Sequence, residues 1–242
     1  MTQADLLLQM EHISKAFPGV VALANAQLQV GRGEVHALIG ENGAGKSTMI
    51  KILTGAYRRD SGTITFDGRP IDFHSPQQAQ AGGISTIYQE VNLVPFRSVA
   101  ENIFMGREPR RFGLIDWRRM HAEARALLER LNVSVDVTQP LVNLNIAVQQ
   151  MVAVARALHG DVRVLLLDEP FEGLSPAITE ELFTVFDRLR REISIIIVDH
   201  NLDLVLALSD RTYALERGRV VHQGPSRPLL EDLDYRREVL WL

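Results

Sequence analysis

Apolar residues recur along the chain in two rhythms. Residues 6–13 (Leu-Leu-Leu-Gln-Met-Glu-His-Ile) and 26–30 (Ala-Gln-Leu-Gln-Val) alternate with polar positions around a turn at Phe17, Pro18 and Gly19, which predicts an antiparallel opening. Residues 34–39, 162–167 and 194–198 are short, largely apolar runs, the pattern of buried strands, and residues 84–88 read as another strand closed by Gln89-Glu90. Residues 63–68 form a further strand ended by Asp67-Gly68, a hairpin signal. A longer period marks helices at 49–53, 98–105, 117–131, 147–158, 176–192 and 202–209. In the third of these, Met120, Ala124, Leu127, Leu128 and Leu131 make one apolar stripe. Asn143 and Asn145 supply a capping signal before residue 147. Residues 210–215 and 219–223 flank Glu216-Arg217-Gly218 as a second hairpin.

Between residues 91 and 142 the character changes. Pro95, Pro109 and Pro140 interrupt the chain, and Arg107, Arg110, Arg111, Arg118 and Arg119 cluster there. This block reads as an inserted helical subdomain in an α/β core. The arginines read as a solvated face, with contact to a partner as the alternative.

The 242 residues suffice for one large domain, and 46% hydrophobic with 23% charged residues is the balance of a globular protein with a sizeable core. A net charge of −4 gives no global basic field, so nucleic acid is not an expected partner. With no cysteine, disulfides and thiolate metal sites are excluded. The first residues lack the basic region and apolar stretch of a signal peptide, and no apolar run approaches the roughly 18 residues of a membrane span, so a membrane role is expected to come through a partner.

Chemistry enters at residues 40–48, Gly-Glu-Asn-Gly-Ala-Gly-Lys-Ser-Thr, which satisfy G-x-x-x-x-G-K-[ST] at each specified position. Gly40, Gly43 and Gly45 lack a Cβ, so backbone N–H groups can curl around the β- and γ-phosphates of ATP or GTP. Lys46 adds fixed positive charge, and the Ser47 hydroxyl is placed for Mg²⁺. Asn42, Ala44 and Thr48 complete the binding stretch, between a buried strand and a helix whose N-terminus points at the anion. The strand at 162–167 runs into Asp168-Glu169-Pro170. Asp168 there can hold Mg²⁺, and Glu169 can polarise the water that attacks the γ-phosphate. His200 ends the next apolar strand and can reach the same crevice. Gln89 ends the strand at 84–88, placed to ligate Mg²⁺ or orient water. Phe17 either stacks on an adenine ring or packs on the core.

Taken together, these residues resemble the nucleotide-binding subunit of ATP-binding cassette transporters, over essentially the whole chain. Residues 40–48 match the Walker A loop, and 164–170 match Walker B with its catalytic glutamate. Phe17 falls at the A-loop aromatic, Gln89 at the Q-loop and His200 at the switch histidine. The resemblance implies a P-loop NTPase core with a mixed sheet, an antiparallel β subdomain at the N-terminus and an inserted α-helical subdomain. One cassette would span residues 1–242, with 1–90 and 160–242 as catalytic core and about 91–159 as helical subdomain. It further implies ATP hydrolysis with Mg²⁺, head-to-tail pairing with a second cassette (identical or different), an integral membrane permease, and indirectly a periplasmic solute-binding protein. The expected location is peripheral, on the cytoplasmic face of the inner membrane. Gln89 and the apolar Val91, Leu93, Val94 and Phe96 would dock a permease helix.

The resemblance is split by subfamily. Residues 13–20, 73–76 and 89–93 are similar to monosaccharide-importer ATPases, whereas residues 171–176 and 213–219 are more similar to branched-chain amino acid importer ATPases. The first part contains the coupling segment, so a monosaccharide is the expected solute. The alternatives are a branched-chain amino acid or amide importer, and a non-transport cassette ATPase of low turnover. Two positions depart from the family pattern. The signature Leu-Ser-Gly-Gly-Gln is Leu144-Asn145-Ile146-Ala147-Val148, and the D-loop aspartate is replaced near Ser175.

Overall fold

The computed structural model describes residues 6–88 and 92–240. The chain opens with two long antiparallel strands, β1 (Leu6–Phe17) and β2 (Val20–Gly31), then enters the short buried β3 (Val35–Ile39) and, across a glycine-rich loop, α1 (Lys46–Leu53). β4 (Ser61–Phe66) and β5 (Arg69–Pro70) complete a four-stranded antiparallel sheet in the order β2-β1-β4-β5. α2 (Pro76–Ala81) leads to β6 (Ile84–Ile87). The next block holds α3 (Val99–Phe104), a small hairpin of β7 (Arg110–Arg111) and β8 (Leu114–Ile115), α4 (Trp117–Arg130) and α5 (Ile146–Leu158). Strands and helices then alternate as β9 (Val164–Asp168), α6 (Pro176–Leu189), β10 (Ser194–Val198) and α7 (Leu202–Leu208). β11 (Arg211–Glu216), β12 (Arg219–Pro225), α8 (Ser226–Glu231) and α9 (Leu233–Leu240) finish the described chain.

The second sheet is mixed, ordered β12-β11-β3-β10-β9-β6, with all neighbours parallel except the edge strand β12. Its central strands are apolar without interruption because both faces are covered: all five residues of β3 and of β10 are buried. Successive side chains point to opposite faces, and the core divides accordingly. Val35, Ala37, Leu165, Leu167, Ile195 and Ile197 face the helices. Leu38, Val164, Leu166, Ile196 and Val198 face α1 and the antiparallel sheet. The parallel register pairs Val198 with Asp168 and Ile197 with both Leu167 and Ala37, so β3, β9 and β10 deliver their carboxyl ends to one edge. That edge is where open α/β sheets bind ligands.

The expected elements are present with shifted ends. β1 and β2 run to the turn itself, each strand supplying the other's hydrogen-bond partners, and α1 begins at Lys46 rather than Met49. Two features of the inserted block differ from expectation. It contains the β7–β8 hairpin as well as helices, and Arg107 is not part of a solvated face. Its guanidinium donates to the carbonyls of Arg156 (2.9 Å) and His159 (3.3 Å), fastening the segment after α3 to the end of α5. Among the described residues, no helix is long and apolar enough to cross a membrane.

Candidate nucleotide site

The loop from β3 into α1 is shaped by backbone that only glycine tolerates at two points. Gly40 has φ 151°, and a Cβ there would lie 2.3 Å from the Leu215 carbonyl oxygen. Gly45 has φ 110°, and its Cβ would meet the Ala22 carbonyl at 2.6 Å. Strand β2 and the β11–β12 turn therefore press directly on the loop. The Gly218 N–H donates to the Ala44 carbonyl at 2.8 Å, and the Ala24 N–H donates to Gly218 at the same distance. Gly45 caps α1 without any side-chain hydrogen bond, so the helix presents backbone N–H groups and no competing carboxylate in its first turn. Gly43 points into open space, while Asn42 and Ser47 are exposed and Thr48 is half-buried.

Lys46 is buried, 7% exposed, and its ammonium donates to the carbonyls of Gly40 (2.6 Å) and Glu41 (3.0 Å). Burial pulls it below the ordinary lysine range, against the opposing pull of Glu169 and Asp168. Burial likewise pushes the Asp168 carboxyl above its usual range, against the attraction of Lys51 and Lys46. Asp168 is the last residue of β9, and Glu169 follows in a left-handed conformation, φ 56°, with its N–H donating to the Val198 carbonyl at 2.7 Å. Held backbone of this kind is uncommon for a side chain with a Cβ and clusters at functional positions. The Glu169 carboxylate lies 2.8 Å from His200 Nε2, within ion-pair reach. A hydrogen bond from the Glu172 side chain, and after it burial, raise the Glu169 carboxyl above the ordinary range, with His200 opposing.

The structure thus brings residues 40–48, Asp168, Glu169 and His200 to one sheet edge. A cleft on the β11 side of the loop is lined by Gly40, Asn42, Asp199, His200, Arg217 and Leu240. Asp168 and Glu169 lie on the opposite side, joined to the cleft through His200. Phe17 is half-buried, its ring meeting Tyr57 edge-on at 5.3 Å and Lys15 at 5.5 Å. Leu144, Asn145, Ile146, Ala147 and Val148 are not part of the cleft lining; Ile146 opens α5, Asn145 caps it and Leu144 ends the 3-10 turn before it. Gln89, with Glu90 and Val91, lies outside the described residues. One residue escaped the sequence reading. Asp199, 6% exposed, accepts hydrogen bonds from the N–H groups of Phe171 (3.1 Å) and Asn201 (2.8 Å), tying the loop after β9 to the loop after β10. Its one sequence signal is an acidic residue at the end of an apolar strand, directly before the histidine.

A glycine-rich loop feeding a helix, with carboxylates and a histidine at the ends of adjacent parallel strands, defines an ATP-binding P-loop domain. The chain belongs to the ABC transporter family, whose sequence model matches residues 23–172. Among curated relatives, it is 47% identical over 234 residues to the ribose import ATP-binding protein RbsA 1 of Streptomyces avermitilis, covering 96% of this chain and 45% of that protein. It is 50% identical over 216 residues to RbsA 1 of Rubrobacter xylanophilus, covering 89% of this chain and 43% of that one. The chain therefore spans less than half the length of these relatives. Among solved structures it is similar to the ADP conformation of MJ1267, an ATP-binding cassette of an ABC transporter, with a TM-score of 0.83, 26% identity and coverage of 95% and 96%. It is also similar to cbiO1 from Clostridium perfringens, part of the complex cbiONQ, with a TM-score of 0.83, 28% identity and coverage of 97% and 94%.

Proposed function

We propose that this chain is the ATP-hydrolysing cassette that energises a monosaccharide importer of ribose type. The observation that carries the reading is the junction of Glu169 and His200 beside the phosphate loop. Residues 40–48 bind the triphosphate through backbone N–H groups and Lys46, as Phe17 flanks the base. The exposed Ser47 hydroxyl and the Asp168 carboxylate are hard oxygen donors suited to Mg²⁺, which when bound neutralises phosphate charge. Two protein oxygens fit a cation that draws its other ligands from phosphates and water. Gln89 would add a third. Glu169 takes a proton from the attacking water, and His200 holds that carboxylate and reaches the γ-phosphate. A base with a raised pKa loses function at higher pH than an ordinary carboxylate, because turnover falls as pH drops through that pKa.

The partners follow from the same reading. A second cassette, identical or different, supplies residues 144–148 to this phosphate loop. A permease helix docks in the groove lined by Tyr88, Leu93, Met105, Arg107 and Arg156. In this reading the helical subdomain (about 91–159) carries both contacts and the core (1–90 and 160–242) holds the nucleotide, at the cytoplasmic face of the inner membrane. A periplasmic binding protein delivers the solute. The similarity to ribose import proteins over nearly the whole chain favours a sugar over a branched-chain amino acid.

The test is a pair of substitutions. Lys46→Ala should abolish productive ATP binding. Glu169→Gln should retain binding and lower turnover by roughly a hundredfold or more, the usual worth of a positioned base. Wild-type turnover in Glu169→Gln overturns the assignment.

A further inference from the structure

Between α3 and α4 the chain makes a hairpin whose tip stands in solvent. Arg111 pairs with Leu114 and Arg110 with Ile115 across the two-residue turn Phe112-Gly113. Both turn residues are left-handed, with φ 51° and 84°. Such turns favour Asn-Gly, and a bulky aromatic in the first position is locally costly. The chain recovers little of that cost by packing. Phe112 is 92% exposed and Leu114 is 76% exposed, while the Arg111 guanidinium lies 5.4 Å from the Phe112 ring centroid. Ile115 packs on the core and anchors the base of the hairpin. Trp117, 47% exposed, opens α4 beside it.

Cations surround this apolar tip. Arg110, Arg111, Arg118 and Arg119 are all exposed, and Arg119 pairs with Glu123. Residues 108–119 hold four arginines against two acidic residues, Glu108 and Asp116, in a chain whose net charge is −4. Asp116 is engaged as the α4 cap, accepting from the Arg119 N–H at 3.0 Å. Exposed aromatic and aliphatic side chains set among guanidinium groups are the chemistry of an interfacial anchor. The apolar parts enter the boundary between headgroups and acyl chains, and the cations meet lipid phosphates.

We propose that residues 110–117 form an anchor that docks on an anionic lipid surface. The proposal deepens the importer reading and rests on it in one respect. The groove assigned to the permease includes Gly106 and Arg107, just before β7, which sets the hairpin beside the edge of the cassette that faces the membrane.

The experiment is flotation of the purified chain with vesicles of phosphatidylglycerol and phosphatidylcholine, against vesicles of phosphatidylcholine alone. Binding should require phosphatidylglycerol and weaken as salt rises. Arg110→Ala with Arg111→Ala should reduce partitioning by roughly 30-fold, from about fivefold per arginine near an anionic surface. Phe112→Asn with Leu114→Ser should also weaken it, and asparagine suits the left-handed turn, so the hairpin is kept. ATP turnover without lipid should be unchanged in both variants. That separates loss of the anchor from failure of the nucleotide site, since a chain without turnover would still give a readable flotation. No binding to phosphatidylglycerol vesicles at low salt overturns the proposal, as does wild-type binding by both variants. Lost co-purification with a permease, with vesicle binding intact in the variants, would assign the hairpin to a protein contact and overturn it as well.

Discussion

Asp199 shows how a residue with no chemistry of its own can govern a site. Its two carboxylate oxygens hold the backbones of Phe171 and Asn201, which lie two residues after Glu169 and one after His200. The pairing of Glu169 with His200 at 2.8 Å depends on both loops keeping their places. Asp199→Ala removes both acceptors and leaves the buried Phe171 N–H without this partner, at a cost of about 1–3 kcal/mol in stability. Misplacing reacting groups by a fraction of their separation costs roughly tenfold to a hundredfold in rate. We therefore expect kcat to fall in that range, with KM for ATP changed by less than about threefold, as positioning rather than binding is lost. Asp199→Asn keeps one carbonyl oxygen and should recover part of kcat at near-native thermal stability. A KM defect equal to the kcat defect would show instead that Asp199 supports the phosphate loop.

At the scale of elements, the altered signature segment has a concrete local role. Asn145 Oδ1 accepts from the Val148 N–H at 2.9 Å and so caps α5, a task serine performs about equally well. Val148 is half-buried against the core, so glutamine there would disturb packing as well as polarity. Asn145→Ser alone is the cleaner change: helix stability should hold, while the shorter side chain opens the N-terminus of α5 to a phosphate. If the asparagine impairs the paired site, steady-state turnover at saturating ATP should rise roughly tenfold, about 1.4 kcal/mol of barrier. Unchanged turnover would mean that the backbone N–H groups suffice. Elements with a strong apolar period, such as α4, β9 and β10, were legible in the sequence because burial on a defined face writes that period. α2 carries a single buried residue, Ala79, and the β7–β8 hairpin has two-residue strands with an exposed tip, so neither leaves a pattern. The strand-end residues Asp168, Glu169 and His200 could be placed from sequence because apolar runs lead into them. Asp199 could not be given a task, since its partners are backbone groups on another loop.

Across the whole molecule, Asn92 and Leu93 line the proposed permease groove. Leu93 is half-buried against the core, whereas Phe96 is 83% exposed. A charge at Leu93 would therefore disturb folding, and Phe96→Asp is the discriminating variant. In membranes containing the permease, Phe96→Asp should lower solute uptake while ATP affinity and thermal stability stay at wild-type values; unchanged uptake would remove Phe96 from the coupling path. The sheet itself carries a consequence for how the protein is made. β3 lies between β10 and β11, and the phosphate loop leans on the turn at Gly218, all of them far downstream in the sequence. A ribosome therefore finishes the loop, with β2 beside it, long before it makes the turn and the neighbouring strands that complete its support. Until β10 and β11 emerge, β3 is an apolar strand lacking both neighbours, the kind of segment that chaperones shield and that non-local pairing is slow to rescue. Nucleotide binding is then a late event in the life of the nascent chain, and it certifies that the strands on either side of β3 have arrived.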